Sequence, residues 1–242
     1  MTTQNKGMKA MIFAAVLFGL LAISLAAATP TGPSVLFNVS SSKGSITNSA
    51  RLVQAEAGNV SEVNITANSI TKAWQGYFGN VTGTILLADS LGNNFYTWNN
   101  TNIRGEIYAS RSSVVSWGTI NCTNASNLTS ENTYLGKLST DPDSVNNTFT
   151  STSHPNITVG TTTLSNCFST QAYGNGGPTG ANFWNVLLSD GNGIGNVVYT
   201  TFINKSTTSF QNGKTDFELL VGENGNSTST APTPYFFYAE LD

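Results

Sequence analysis

The sequence predicts an all-β fold, a sandwich of short, mostly antiparallel strands preceded by an apolar N-terminal segment. Three observations carry that prediction. Apolar residues past position 28 recur with a period of two and show no sustained 3.6-residue period. The apolar runs are short and are separated by Gly and Asn. The 242 residues include 60 Ser plus Thr and 29 Asn, side chains that suit strand faces and turns and oppose helix interiors.

At the N-terminus, Lys6 and Lys9 precede an uncharged run from Ala10 to Ala28, followed by Thr29-Pro30. A basic start, an apolar centre and a small-residue exit describe a secretory signal peptide, cleaved after Ala28 or Ala26. Two other readings stay open. The run is just long enough to span a bilayer as an uncleaved anchor. Lys6-Gly7 before it also resembles the processing site of archaeal type IV pilin precursors, where cleavage would leave the run as a filament-core helix. Lys9 departs from that pattern. Residues 1–28 are therefore a signal peptide or membrane anchor, and residues 29–242 a single domain with an insertion near 121–170.

Along that domain the apolar runs are Val35–Val39, Val63–Ala67, Thr84–Ala88, Phe95–Trp98, Ile103–Ala109, Val114–Ile120, Leu164–Phe168, Phe183–Leu188, Val197–Ile203, Phe217–Val221 and Tyr235–Leu241. Each reads as a strand. In the fifth, Ile103, Gly105, Ile107 and Ala109 share a face, with Arg104, Glu106 and Tyr108 opposite. A short helical turn is expected only around Glu131–Leu138. Asn212-Gly213 reads as a hairpin turn. Val35–Val39 is joined to the core by Ser40–Gly44. It fits either an intramolecular edge strand or a strand donated to a neighbouring molecule.

Only 10% of residues are charged, with a net charge of −3. Removing residues 1–28 takes away two Lys and leaves 8 basic and 13 acidic residues, a net charge of −5. Without a basic footprint, nucleic acid is not an expected partner. Membrane contact is expected only through an uncleaved N-terminal segment. The surface relies on hydroxyls and amides, which stay hydrated where charges would be screened by salt or titrated by acid.

Cys122 and Cys167 lie 45 residues apart, without the C-x-x-C spacing of metal or redox motifs. In an oxidising compartment they form one disulfide, with two separate buried thiols as the alternative. Asn-x-Ser/Thr sequons occur at Asn38, Asn59, Asn64, Asn80, Asn99, Asn121, Asn124, Asn127, Asn146, Asn156, Asn204 and Asn226. Each is an N-glycosylation acceptor in a secreted chain. Asn121, Asn124 and Asn127 crowd into one stretch that reads as an exposed loop.

Catalytic chemistry is not indicated. His154 stands in a Ser/Thr-rich loop without a nucleophile elbow and reads as a solvated residue. The 13 acids are scattered, with no pair marked for glycosidase work. Asp141-Pro-Asp143 and Asp190-Gly-Asn192 offer oxygen ligands but complete no calcium loop. No catalytic residue, metal or cofactor is expected. Trp74, Tyr77 and Trp98 are candidates for stacking on carbohydrate if exposed, and for core packing otherwise.

The run Trp74-Gln75-Gly76-Tyr77-Phe78-Gly79-Asn80-Val81-Thr82-Gly83, with Thr84–Leu87, Phe95–Trp98 and the upstream Gly58–Thr66, is distinctive. It resembles a segment recurring in secreted archaeal cell-surface proteins of unknown role, over about residues 55–110. The resemblance implies a cell-surface setting and no enzyme mechanism. Physically the run reads as two strands, with Trp74 and Trp98 anchoring neighbouring strands. The expectation is a secreted, N-glycosylated structural protein of the archaeal cell surface, a filament or envelope subunit partnered by itself or other envelope proteins. The second expectation is a carbohydrate-binding adhesin using exposed aromatics.

Overall fold

A computed structural model describes residues 29–46, 49–99, 102–173, 181–191, 196–225 and 232–242. The N-terminal apolar run and Asn226 lie outside the described residues. The described chain is mostly β, with several antiparallel sheets and little helix.

The first strands in the chain are β1 (Trp74–Gly79), β2 (Ile85–Ala88), β3 (Asn94–Trp98), β4 (Gly105–Ser110) and β5 (Asn121–Cys122). After two helices, α1 (Ala125–Tyr134) and α2 (Val145–Thr148), come β6 (Ile157–Val159), β7 (Thr162–Leu164), β8 (Ser169–Tyr173), β9 (Ala181–Ser189) and β10 (Val197–Phe202). The last are β11 (Thr207–Thr208), β12 (Lys214–Thr215), β13 (Phe217–Gly222) and β14 (Phe236–Leu241). A six-stranded antiparallel sheet forms the centre, in the order β14-β4-β10-β9-β5, with β8 also pairing with β9.

Alternation along the central strands serves two dry faces. Ile107, Ala109, Leu187, Val197 and Tyr199 belong to one apolar cluster, and Tyr108, Val186, Leu188 and Val198 to another. Burial on both faces is why Val197–Phe202 and the second half of β9 show no clean apolar–polar alternation. The first cluster is completed by Leu219 and Val221 of β13 and by Leu128, Leu135 and Phe149 from the helical segment. Ile157, Val159 and Leu164 of the β6–β7 hairpin cover the other. Glu106, which the alternation places opposite Ile107 and Ala109, is therefore buried as well.

Helix α1 stands where the sequence predicts an exposed loop. Asn124 is its N-cap: its side chain accepts from the Asn127 N–H, and the Asn127 side chain accepts from the Asn124 N–H. The inward face carries Leu128, Glu131 and Asn132. With two polar residues on the buried side, the 3.6-residue period is invisible in the sequence. Val114–Ile120 holds a single helical turn, Trp117–Thr119, in place of a strand. Near Asn212-Gly213, β11 pairs with β12 across a loop containing the turn Phe210–Asn212.

The strand structure stops on the N-terminal side of β1. Thr31 makes a single bridge to Ala239 on the outer edge of β14, with hydrogen bonds of 3.0 and 2.9 Å. Every described residue from Thr31 to Lys72 is exposed, and none belongs to a strand. Val35–Val39 and Val63–Ala67 thus have the sequence of strands without partners to pair with.

Candidate functional site

The sequon cluster and the disulfide meet at one groove. Cys122 and Cys167 are bonded, with Cα atoms 5.0 Å apart, joining β5 to the link between β7 and β8. Beside Cys122, an open groove of about 440 Å3 is lined by Asn121, Asn124 and Asn127. The hydroxyl-bearing residues Thr119, Ser126, Ser130 and Ser189 complete most of its wall. None of the lining side chains is charged.

Three backbone hydrogen bonds hold the asparagines. The Cys122 N–H donates to Asn121 Oδ1 at 2.8 Å. The reciprocal cap of α1 holds the carbonyl oxygens of Asn124 and Asn127 at 2.9 and 3.0 Å. Every hydrogen bond made by these amides uses the oxygen. Elsewhere, Asn38, Asn59, Asn64, Asn80, Asn99, Asn146, Asn156 and Asn204 are exposed, like Asn121 and Asn124, and Asn127 is half-buried. Among the described residues, the two buried asparagines, Asn132 and Asn185, are not sequons.

The aromatic candidates are not brought together. Trp74 packs against Phe149 and Tyr199, and its indole N–H donates to the Asp143 carbonyl at 2.8 Å. Tyr77 meets Phe237 edge to face. Both belong to the margin of the core. Trp98 lies on the β2–β3 hairpin, 47% exposed, meeting Tyr96 edge to face with ring centroids 4.9 Å apart. Trp74 thus anchors neighbouring elements as expected, whereas Trp98 remains in solvent. The Trp74–Gly79 run is one strand, paired with β13.

His154 is buried rather than solvated. Its Nε2 accepts from the Cys167 N–H at 2.8 Å, and Nδ1 lies 2.7 Å from the Pro155 carbonyl. That pairing makes Nδ1 the protonated nitrogen and the ring a latch beside the disulfide.

Two sets of buried charges were not legible in the sequence. Arg111 binds Glu131 through both carboxylate oxygens, at 2.7 and 2.5 Å. Tyr199 donates to Glu131, Arg111 donates to the Tyr235 hydroxyl, and the guanidinium lies 4.0 Å from the Tyr134 ring centroid. Burial pulls the Arg111 pKa down, but the hydrogen bond and charge of Glu131 prevail and hold it above its ordinary value. In the second set, Glu106 stands directly opposite Glu240 on adjacent strands. Burial, helped by Asp242 and Glu240, pushes Glu106 up to about 8. Glu240 is raised by burial against the hydrogen bonds it accepts from the Gly160 N–H and the Tyr108 hydroxyl. The Gly160 N–H of the β6–β7 turn reaches only the Glu240 carboxylate, and Glu106 Oε2 is buried without a hydrogen-bond partner. The only advance signal was their rarity: in a chain so poor in charge, an acid inside a strand has few solvated neighbours.

Among the described residues, no group of three or more His, Cys, Asp or Glu converges to hold a metal ion. No helix among them is long and apolar enough to cross a membrane. Comparison with protein-family models, curated proteins and solved structures finds no match.

Proposed function

We propose that the chain is a secreted, N-glycosylated structural subunit of an archaeal cell-surface assembly, joined to further copies of itself through the exposed N-terminal segment. The central sheet and the β1–β13 ribbon over it are then a β-sandwich head, with residues 121–170 inserted at its side. One observation carries the reading. Val35, Leu36, Phe37 and Val39 are 63%, 62%, 81% and 93% exposed, in a segment whose one β-bridge to the head among the described residues is at Thr31. Leu52, Val60 and Ile65 repeat the pattern further along. Such apolar, strand-forming residues in water are stabilised by adding to a sheet edge on another molecule. Sequons on exposed positions across the head support the surface setting.

The test is the assembly state of the native protein, with its N-terminus and intact mass read from the same cell-surface fraction. Replacing Phe37 and Val39 by Asp is expected to leave folded, monomeric heads where the unaltered chain forms oligomers or filaments. An unaltered, glycosylated chain that stays monomeric at high concentration would overturn the reading.

A carbohydrate-binding role has one supporting observation. Phe95, Tyr96 and Trp98 are 85%, 55% and 47% exposed on one hairpin strand. Glycan binding by the unaltered chain, abolished in Trp98→Ala, would favour it over assembly.

A further inference from the structure

Asn121, Asn124 and Asn127 lie on the same groove although β5 and α1 present them separately. In all three, a backbone N–H holds the side-chain oxygen. The hydrogen bonds therefore leave Nδ2 as the atom available for linkage, on a scaffold pinned by the disulfide and the helix cap. The groove volume of about 440 Å3 lies in the range of ligand-sized clefts. Its hydroxyl and amide lining, without charge, matches a neutral polyhydroxylated occupant and offers little to an ion or an apolar molecule.

We infer that this groove is the seat of the chain's own N-linked glycan, attached at this cluster, with its first sugars lying against Ser126, Ser130 and Ser189. The inference rests on the reading of the protein as a glycosylated surface subunit and adds which glycan is structural. In the linkage step, Nδ2 attacks the anomeric carbon of a lipid-phosphate-linked oligosaccharide. The carbon–nitrogen bond forms, the carbon–oxygen bond to the phosphate carrier breaks, and Nδ2 gives up one proton while the lipid phosphate leaves. The Asn carbonyl is untouched, so the helix cap and the Asn121 contact survive. A groove of this size seats one glycan core, so three neighbouring acceptors compete for one place.

The experiment combines glycopeptide mapping of the native protein with hydrogen exchange at Ser189–Gly191 and the first turn of α1. The comparator is the same chain made in a host without N-glycosylation. The expected result is a glycan within residues 121–129 and exchange roughly tenfold slower than in the bare chain. Asn121→Gln, Ser126→Ala and Thr129→Ala together silence the three sequons while keeping the Asn124 and Asn127 caps. They are expected to abolish the slowing in the native host and to change little in the bare chain. Glycans elsewhere with a bare cluster would overturn the seat and leave the glycoprotein reading standing. A modified cluster without slowed exchange would also overturn it, since that glycan projects into water. A chain without any glycan would remove both readings.

Discussion

Glu131 sits on the inner side of α1 with a side-chain exposure of 0%, a position that only full pairing makes tenable. Arg111 and the Tyr199 hydroxyl supply that pairing, and Tyr235 passes the network on to the Gly222 carbonyl at 2.6 Å. Removing one partner strands the other charge out of water. Arg111→Ala is therefore expected to lower stability by about 3–5 kcal/mol in urea unfolding. Pairing Arg111→Met with Glu131→Leu should recover much of that loss, because two apolar groups leave no charge behind. If the double variant is less stable than Arg111→Ala, the network contributes more than charge neutralisation. Gly105 is a second residue fixed by its surroundings. With φ of 118°, it occupies backbone space that side chains disfavour, and a Cβ there would collide with the Glu240 carbonyl oxygen.

At the scale of elements, the 121–170 stretch owes its position to cross-links more than to pairing. β5 contributes only two residues to the central sheet, and β6–β7 forms a separate two-stranded hairpin. The Cys122–Cys167 bond and the His154 latch tie this stretch down close to the groove. Reduction is expected to lower stability by about 4 kcal/mol, as for a closed loop of this length. It should also raise hydrogen exchange first in β5 and α1, and equal loosening across β4 and β10 would argue against this local role. The β2–β3 hairpin has no comparable anchorage. All four residues of β2 are exposed, and a two-stranded ribbon in water is marginal without a packing partner. In the assembly proposed above, a neighbouring copy supplies that partner.

The whole molecule carries opposing titrations that set its preferred pH. Glu106 is raised from 4.5 to about 8, so between those values the folded chain holds a proton that the unfolded chain has lost. Stability falls as pH rises across that window and levels off above it. Asp143 and Asp216 act in the opposite direction. Asp143 is lowered by its hydrogen bond with Lys137. Burial raises Asp216, but Lys205 and the N–H groups of Ser206 and Val81 hold it below its ordinary value. Their contributions are present above the ordinary carboxylate range and are lost as pH falls through their lowered values. Urea midpoints should therefore peak at mildly acidic pH, between about 4 and 5. Glu106→Gln should flatten the decline toward pH 8, and a midpoint at pH 8 equal to that at pH 5 would sink this account. An acid-side optimum agrees with a surface hydrated by amides and hydroxyls in place of charges.

Period-two alternation in β4 and β13, and short β-rich runs bounded by turn residues in β2, β3, β9, β10 and β14, were sufficient to identify these strands, because strand formation there follows from local side-chain patterning. The cysteine pair was also legible, since the only two thiols in the sequence leave one intramolecular pairing. Other features depend on contacts far apart in the chain. Helix α1 exists because its cap and its tertiary partners accept two polar residues on the inward face. Glu106 and Glu240 became neighbours only through the β4–β14 register, and three sequons reached one groove only when β5, α1 and β9 met. Val35–Val39 carries the inverse lesson. Local propensity writes a strand, but a strand needs an edge to pair with, and that edge is a property of the assembled structure.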